Sequence, residues 1–261
     1  MSPARLGLTL LVVVTTATAT TAQSPDARPE FDVASVKLNQ SGELGLRVDV
    51  QPGGRFVATN MPLRQLIRAA YTLQLFQIVD APAWTESERF DISARTDRDI
   101  TVTTPWLPGS RFLLVQLMVQ SLLEERFKMV SHMDTRDAQT YSLVADDAGQ
   151  PTAKLRSAAA DCGNDCGMRI GRGTLRARKV PLAQLAEFLS QITGRLVTNS
   201  TGLTDLFDID LQWTPEGQLA EPDGAPSVFT ALREQIGLRL QSQRAPVPVL
   251  VIDSIQRPSP D

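Results

Sequence analysis

Apolar positions along the chain change their period at two places that resemble one another. In "GRFVATNMPLRQLIRAAY", Gly54 to Tyr71, Phe56 and Ala58 alternate with neighbours of the other kind, the spacing of a strand with one buried face. Leu63, Leu66, Ile67 and Ala70 then recur at steps of three and four, the stripe of an amphipathic helix. "GTLRARKVPLAQLAEFLS", Gly173 to Ser190, does the same: Leu175 and Ala177 alternate, and Leu182, Leu185, Ala186, Leu189 and Ile192 follow the helical step. Pro62 and Pro181, 119 residues apart, open the two helices, where a missing N–H costs nothing.

The correspondence continues past the helices. Phe90-Asp91-Ile92 recurs as Phe207-Asp208-Ile209, and Phe207, Ile209, Leu211 and Trp213 alternate with Asp208, Asp210 and Gln212. Polar, proline-containing loops follow, near Arg95–Gly109 and Thr214–Pro226. A second helix is predicted in each half, through Leu114, Leu117, Met118 and Leu122, and through Phe229, Leu232 and Ile236 up to Gly237. Four short strands close the pattern, around Phe127–Val130 and Thr140–Val144 in the first half, then Leu238–Gln241 and Val247–Ile252 in the second. The expectation is an α+β protein: a tandem duplication of a β-α-β-β-α-β-β unit, residues 51–145 and 171–253, with small sheets each packed by two helices. An N-terminal segment, 23–50, carries an extra strand, "FDVASVKL" from Phe31, without a clear twin. Residues 146–170 form a linker and 254–261 a tail.

The first 22 residues read as a secretory signal peptide: Arg5, an apolar run from Leu6 to Val14, and small residues at Thr20 and Ala22 before Gln23. Ala19 is the alternative cut site. An uncleaved anchor would need about 20 apolar residues, and threonines dilute the run after Val14. The mature chain is then exported, periplasmic or extracellular, with no stable membrane insertion. Hydrophobic residues, 42% of the whole, suffice for packed cores. A net charge of −3 argues against nucleic acid as a partner. Cys162 and Cys166, the only cysteines, lie in "DCGNDCG"; in an exported protein such a pair is expected as a disulfide, a local staple on a loop.

"FDVASVK", "GGRFVATNMPLRQLIRAAY", "WTESERFDISA", "LLEERFKMVSH", "TGLTDLFDIDLQWTP", "PSVFTALREQIGLRL" and "PVPVLVIDSIQRPS" together resemble a large family of exported soil-bacterial (acidobacterial-type) proteins catalogued only as a domain of unknown function. The resemblance covers about residues 30–258. It implies no catalytic residues, and it includes relatives fused to sensor-type membrane peptidases. Each half is also similar to the short N-terminal domain of secretins and TonB-dependent receptors, through Pro181-Leu182, Leu185, Leu189, Thr201-Gly202-Leu203, Phe207-Asp208-Ile209, Ala231-Leu232 and Gly237-Leu238. That likeness implies a module that binds partner proteins in the bacterial envelope.

Candidate chemistry is thin. His132, the only histidine, has Asp134 two residues on, but no nucleophile motif accompanies them, and an exposed edge histidine is the simpler reading. Asp91 and Asp208, with Asp32 and Asp210, invite a paired-carboxylate reading, yet each follows an apolar residue in a strand and so occupies the wet face. Gly53-Gly54 and Gly171-Arg172-Gly173 precede strands and read as turns, since a phosphate loop would open a helix. No catalytic, cofactor or metal residues are assigned, and no cofactor is expected. Zinc would need about four ligands, which one histidine and two cysteines do not supply. Trp213 reads as core and Trp84 as a cap on the first unit. Trp106, in "TTPWLPGS", has no periodic reason for burial and is the candidate contact residue. The reading is a non-enzymatic envelope module binding a protein, peptide or glycan. A hydrolase of envelope polymers and a stand-alone sensor domain of a membrane-peptidase system are the alternatives.

Overall fold

A computed structural model describes residues 28–43, 45–98, 100, 111–146, 155–158, 161–215 and 224–259. Three four-stranded sheets and two groups of helices make up the α+β architecture. In the first half, β1 (Val33–Leu38), β2 (Arg47–Gln51), β3 (Arg55–Pro62) and β5 (Arg89–Arg95) form an antiparallel sheet in the order β1-β5-β3-β2. In the second, β7 (Arg156–Ser157), β8 (Gly167–Gly171), β9 (Thr174–Pro181) and β11 (Leu206–Gln212) form another, in the order β7-β11-β9-β8. The strand beginning near Phe31 thus holds a place on β5 that β7 holds on β11, and β7 and all but the last residue of β8 fall within the stretch 146–170 expected as a linker.

Helices follow from the junctions already visible in the sequence. Pro62 and Pro181 are the extended residues before α1 (Leu63–Tyr71) and α4 (Leu182–Thr193). The apolar stripe of α1, Leu63, Leu66, Ile67 and Ala70, is buried, as is that of α4, Leu182, Leu185, Ala186 and Leu189. A short helix α2 (Trp84–Ser87) precedes β5, and α3 (Arg111–Arg126) precedes the last strand of this half. α3 buries Val115, Met118, Val119, Leu122 and Leu123 around much of its circumference, because it lies among α1 and strands of two sheets. In the second half, α5 (Val228–Ala231) runs into a π-helical turn, Leu232–Ile236, and stops at Gly237 in the left-handed region.

The third sheet departs from the expected plan. The four short closing strands are two long ones, β6 (Val130–Ala145) and β12 (Leu238–Ser254), paired antiparallel from Leu238–Ala145 to Ser254–Val130. Two short strands border this ribbon at opposite ends. β10 (Val197–Asn199) pairs parallel with Tyr141–Leu143, and β4 (Ile78–Val79) pairs parallel with Leu250–Val251. Each core therefore takes material from the far half. Leu250 and Ile252 pack with the first helices and sheet, whereas Leu143 packs with α4 and the second sheet. Between the cores, at Ser131–Gln139 and Ser242–Pro246, the ribbon is mostly polar and exposed, so hydrophobic periodicity lapses there and the sequence reads as separate strands.

Candidate binding surface

Each repeated carboxylate has a backbone partner. The β3–β5 register shifts between Ala58 and Met61, and Asn60 stands at φ 54° in that bulge. Its N–H donates to Asp91 Oδ1 at 2.9 Å. Across β9 and β11 the register shifts likewise, Lys179 stands at φ 57°, and its N–H donates to Asp208 Oδ1 at 2.9 Å. Bulges leave backbone groups out of the ladder, and these aspartates satisfy them. Asp91 also accepts from Asn39 Nδ2 at 2.9 and 3.0 Å. Asp210 pairs with Arg156 and Arg178 at 2.6 and 2.8 Å, and Asp32 accepts the Asp97 N–H at 2.8 Å. These partners are N–H groups, an amide and guanidinium groups, whereas glycosidic chemistry would need a second carboxylate across an open site.

His132 is exposed, and its ring Nδ1 lies 2.9 Å from Asp253 on the neighbouring strand, not on Asp134. That hydrogen bond and the charge of Asp253 raise the imidazole pKa above its usual value near 6.5. Asp134 instead accepts the Thr135 N–H at 2.7 Å. Cys162 and Cys166 are joined as a disulfide, with Cα atoms 5.2 Å apart, around the turn Gly163–Asp165. Trp213 is buried and Trp84 half-buried, edge-on to Phe90 at 6.4 Å and covered by the Arg257 guanidinium at 5.0 Å. Trp106 lies outside the described residues. Among the described residues, no group of three or more His, Cys, Asp and Glu is placed to hold a metal ion, and no helix is long and apolar enough to cross a membrane.

An apolar opening lies in the second half. A cleft of about 400 Å³ lies between the turn at Gly171–Gly173, α4 and the start of α5. Phe188, Ile192, Trp213, Val228 and Phe229 supply its apolar walls. The Trp213 backbone N–H donates to the Gly173 carbonyl at 2.9 Å, and its ring packs against Phe188, which stands edge-on at 5.7 Å. Phe229 is 37% exposed, at the far wall. It meets Tyr141 edge-on at 5.6 Å, and Arg195 lies over the Tyr141 ring at 5.3 Å. The result is an aromatic strip running from the cleft to the central sheet, with a cation at its end. Large rigid rings that offer apolar area with one polar tip are what contact surfaces favour. Sequence reasoning missed Phe229 and Tyr141, because each fits a periodic element and nothing in the pattern distinguishes a half-exposed ring from a core one.

A second cleft, about 440 Å³, is lined by Asn39, Glu43, Asn60, Glu88 and Arg89 among others. Several of its polar groups are engaged: Asn39 holds Asp91, Asn60 Nδ2 donates to the Glu43 and Gly45 carbonyls at 2.6 and 2.8 Å, and Glu88 takes Arg257 at 2.6 Å, whereas Asn60 Oδ1 is buried without a partner among the described residues. It is a built joint more than an open receptor.

No curated protein and no solved structure matches this chain. Residues 64–255 match a family described as a protein of unknown function, DUF3738, and with most of its length covered the chain belongs to that family.

Proposed function

We propose that this protein is an exported, non-enzymatic binding module of the cell envelope that recognises a protein, peptide or glycan. We further propose that its halves are two copies of one unit akin to the short N-terminal domain of secretins and TonB-dependent receptors. The observation that carries the binding reading is the aromatic-walled cleft ending at Phe229, Tyr141 and Arg195. It offers apolar area and a cation to a partner. The engagement of Asp91 and Asp208 with bulge N–H groups supports binding over hydrolysis. The same two bulges support duplication, since Asn60 and Lys179 stand 119 residues apart, as Pro62 and Pro181 do.

The test is a crosslinking pull-down from envelope fractions with the chain from Gln23 onward. A heat-unfolded bait and the variants Phe229→Ala and Ile170→Ser serve as controls; both residues line the cleft and are exposed. A partner enriched by the folded bait and lost with either variant is the expected result. Equal capture by the variants or by unfolded bait would exclude this surface.

A further inference from the structure

The ribbon of β6 and β12 has two edges, and only one of them is blunted. β10 covers β6 at Tyr141–Leu143 and β4 covers β12 at Leu250–Val251; elsewhere the described residues add no strand to either edge. Backbone parity can be read from the ladder. Leu250 bonds outward to β4, Pro248 offers its carbonyl outward to Gln77 Nε2 at 2.7 Å, and Pro246 and Pro248 have no N–H to give. Their partners across the ladder, Met133, Thr135 and Asp137, must also turn their backbone groups away, on the opposite edge. Tyr141, of the same parity, confirms the direction by donating its N–H to the Leu196 carbonyl at 2.8 Å. Prolines therefore strip donors from the β12 edge, whereas the β6 edge from Ser131 to Gln139 contains none. Every residue of that segment is exposed or half-exposed.

We propose that the Ser131–Gln139 edge is a self-association surface, on which a second copy of this chain adds its own β6 antiparallel about a two-fold axis at Thr135. In that register Asp134 faces the second copy's Arg136, and Arg136 faces its Asp134. Asp134 and Arg136 share one face of the strand, 3.7 Å apart in the single chain, so both cross-strand pairs form on the same side. They fall at non-hydrogen-bonded positions, where side chains approach most closely. Thr135 meets Thr135, and Met133, Thr135 and Asp137 supply the new ladder bonds. Neighbouring axes are worse. An axis at Asp134 or Arg136 sets like charges against each other, and one at Asp137 does the same. An axis at Met133 leaves Arg136 opposite Val130 and takes the partner off the end of β6. The Asp134 carboxylate, which now takes the outward Thr135 N–H, is released to the second copy's Arg136 when the strands pair. The outcome is a closed, isologous dimer with one sheet continuous through both copies.

This inference is independent of the cleft. It is tested by sedimentation equilibrium of the exported chain and its variants, with a thermal melt of each to confirm folding. The wild type is expected as a dimer at about 50 µM, a range that a modest interface reaches. Asp134→Arg and Arg136→Asp should each weaken the dimer by at least about tenfold, because both cross-strand pairs become repulsive. The double variant D134R/R136D should restore it. Thr135→Pro should also give a monomer, since the donor it removes is not used by β12. A monomeric wild type overturns the proposal, as does a dimer that these variants leave unchanged. Singles that dissociate without rescue by the double variant overturn the Thr135 register. If Thr135→Pro does not fold, the charge variants, placed on exposed side chains, decide the matter alone.

Discussion

Asp91 and Asp208 sit where β3 and β9 bulge, and each takes a backbone N–H that the ladder leaves over. Removing Asp91 strands a buried donor, so Asp91→Ala should cost about 1–3 kcal/mol in urea denaturation, whereas the exposed Lys179 N–H can turn to water and Asp208→Ala should cost less, about 0.5–1.5 kcal/mol. Lys179 carries the cost of a left-handed residue at the second bulge, and Lys179→Gly should return up to about 1 kcal/mol. Gly54 stands at φ 79°, where a Cβ would run into the Thr96 carbonyl. Gly54→Ala is therefore expected to prevent a stable fold, seen as loss of the thermal transition. His132 gives a pH signature. Its folded pKa is raised by Asp253, so its contribution is fully present below the unfolded value near 6.5 and is lost as pH rises through the higher folded value. Stability measured against pH should show that decline in the wild type and lack it in His132→Ala. The sequence disclosed that the two aspartates repeat and lie on the wet face of a strand. It did not disclose what they hold, because a bulge is a mismatch between two strands and has no pattern within either one.

Strand and helix identities followed the local period wherever an element has one dry face. β3, β9, β11, α1 and α4 lie where the alternation or the three-four spacing put them. β6 and β12 were legible only at their ends, because only their ends cover a core. Their middles, Ser131–Gln139 and Ser242–Pro246, join two cores through solvent, and neither face is driven to be apolar there. The prolines on β12 bear on assembly at this scale. Replacing Pro246 and Pro248 by Thr restores two outward donors on the β12 edge, which these prolines otherwise blunt. The variant should form assemblies that grow with concentration in light scattering, where the wild type does not grow beyond a closed species.

At the scale of the molecule, the exchange of strands between halves makes each core depend on the other. Leu250 and Ile252 complete the first core from the far end of the chain, and Leu143 completes the second from the first half. The two halves should then unfold together. Ile67→Ala in the first core and Leu189→Ala in the second, both fully buried, should each cost about 2–5 kcal/mol and lower a single calorimetric peak. Two resolved peaks in either variant would show that the cores melt independently.

By itself the sequence determined the α+β class, the strands and helices that flank each strand-to-helix junction, the repeated junction at Pro62 and Pro181, and the expected pairing of its only two cysteines. The first three are properties of neighbours along the chain, set by period and proline geometry; the last is expected from an exported context. Only the tertiary structure decided that four closing strands are two, that each core borrows from the other half, and that Phe229, Tyr141 and Trp213 border one cleft. Such relations join residues far apart in the chain, and burial on a shared surface leaves no local period by which to find them.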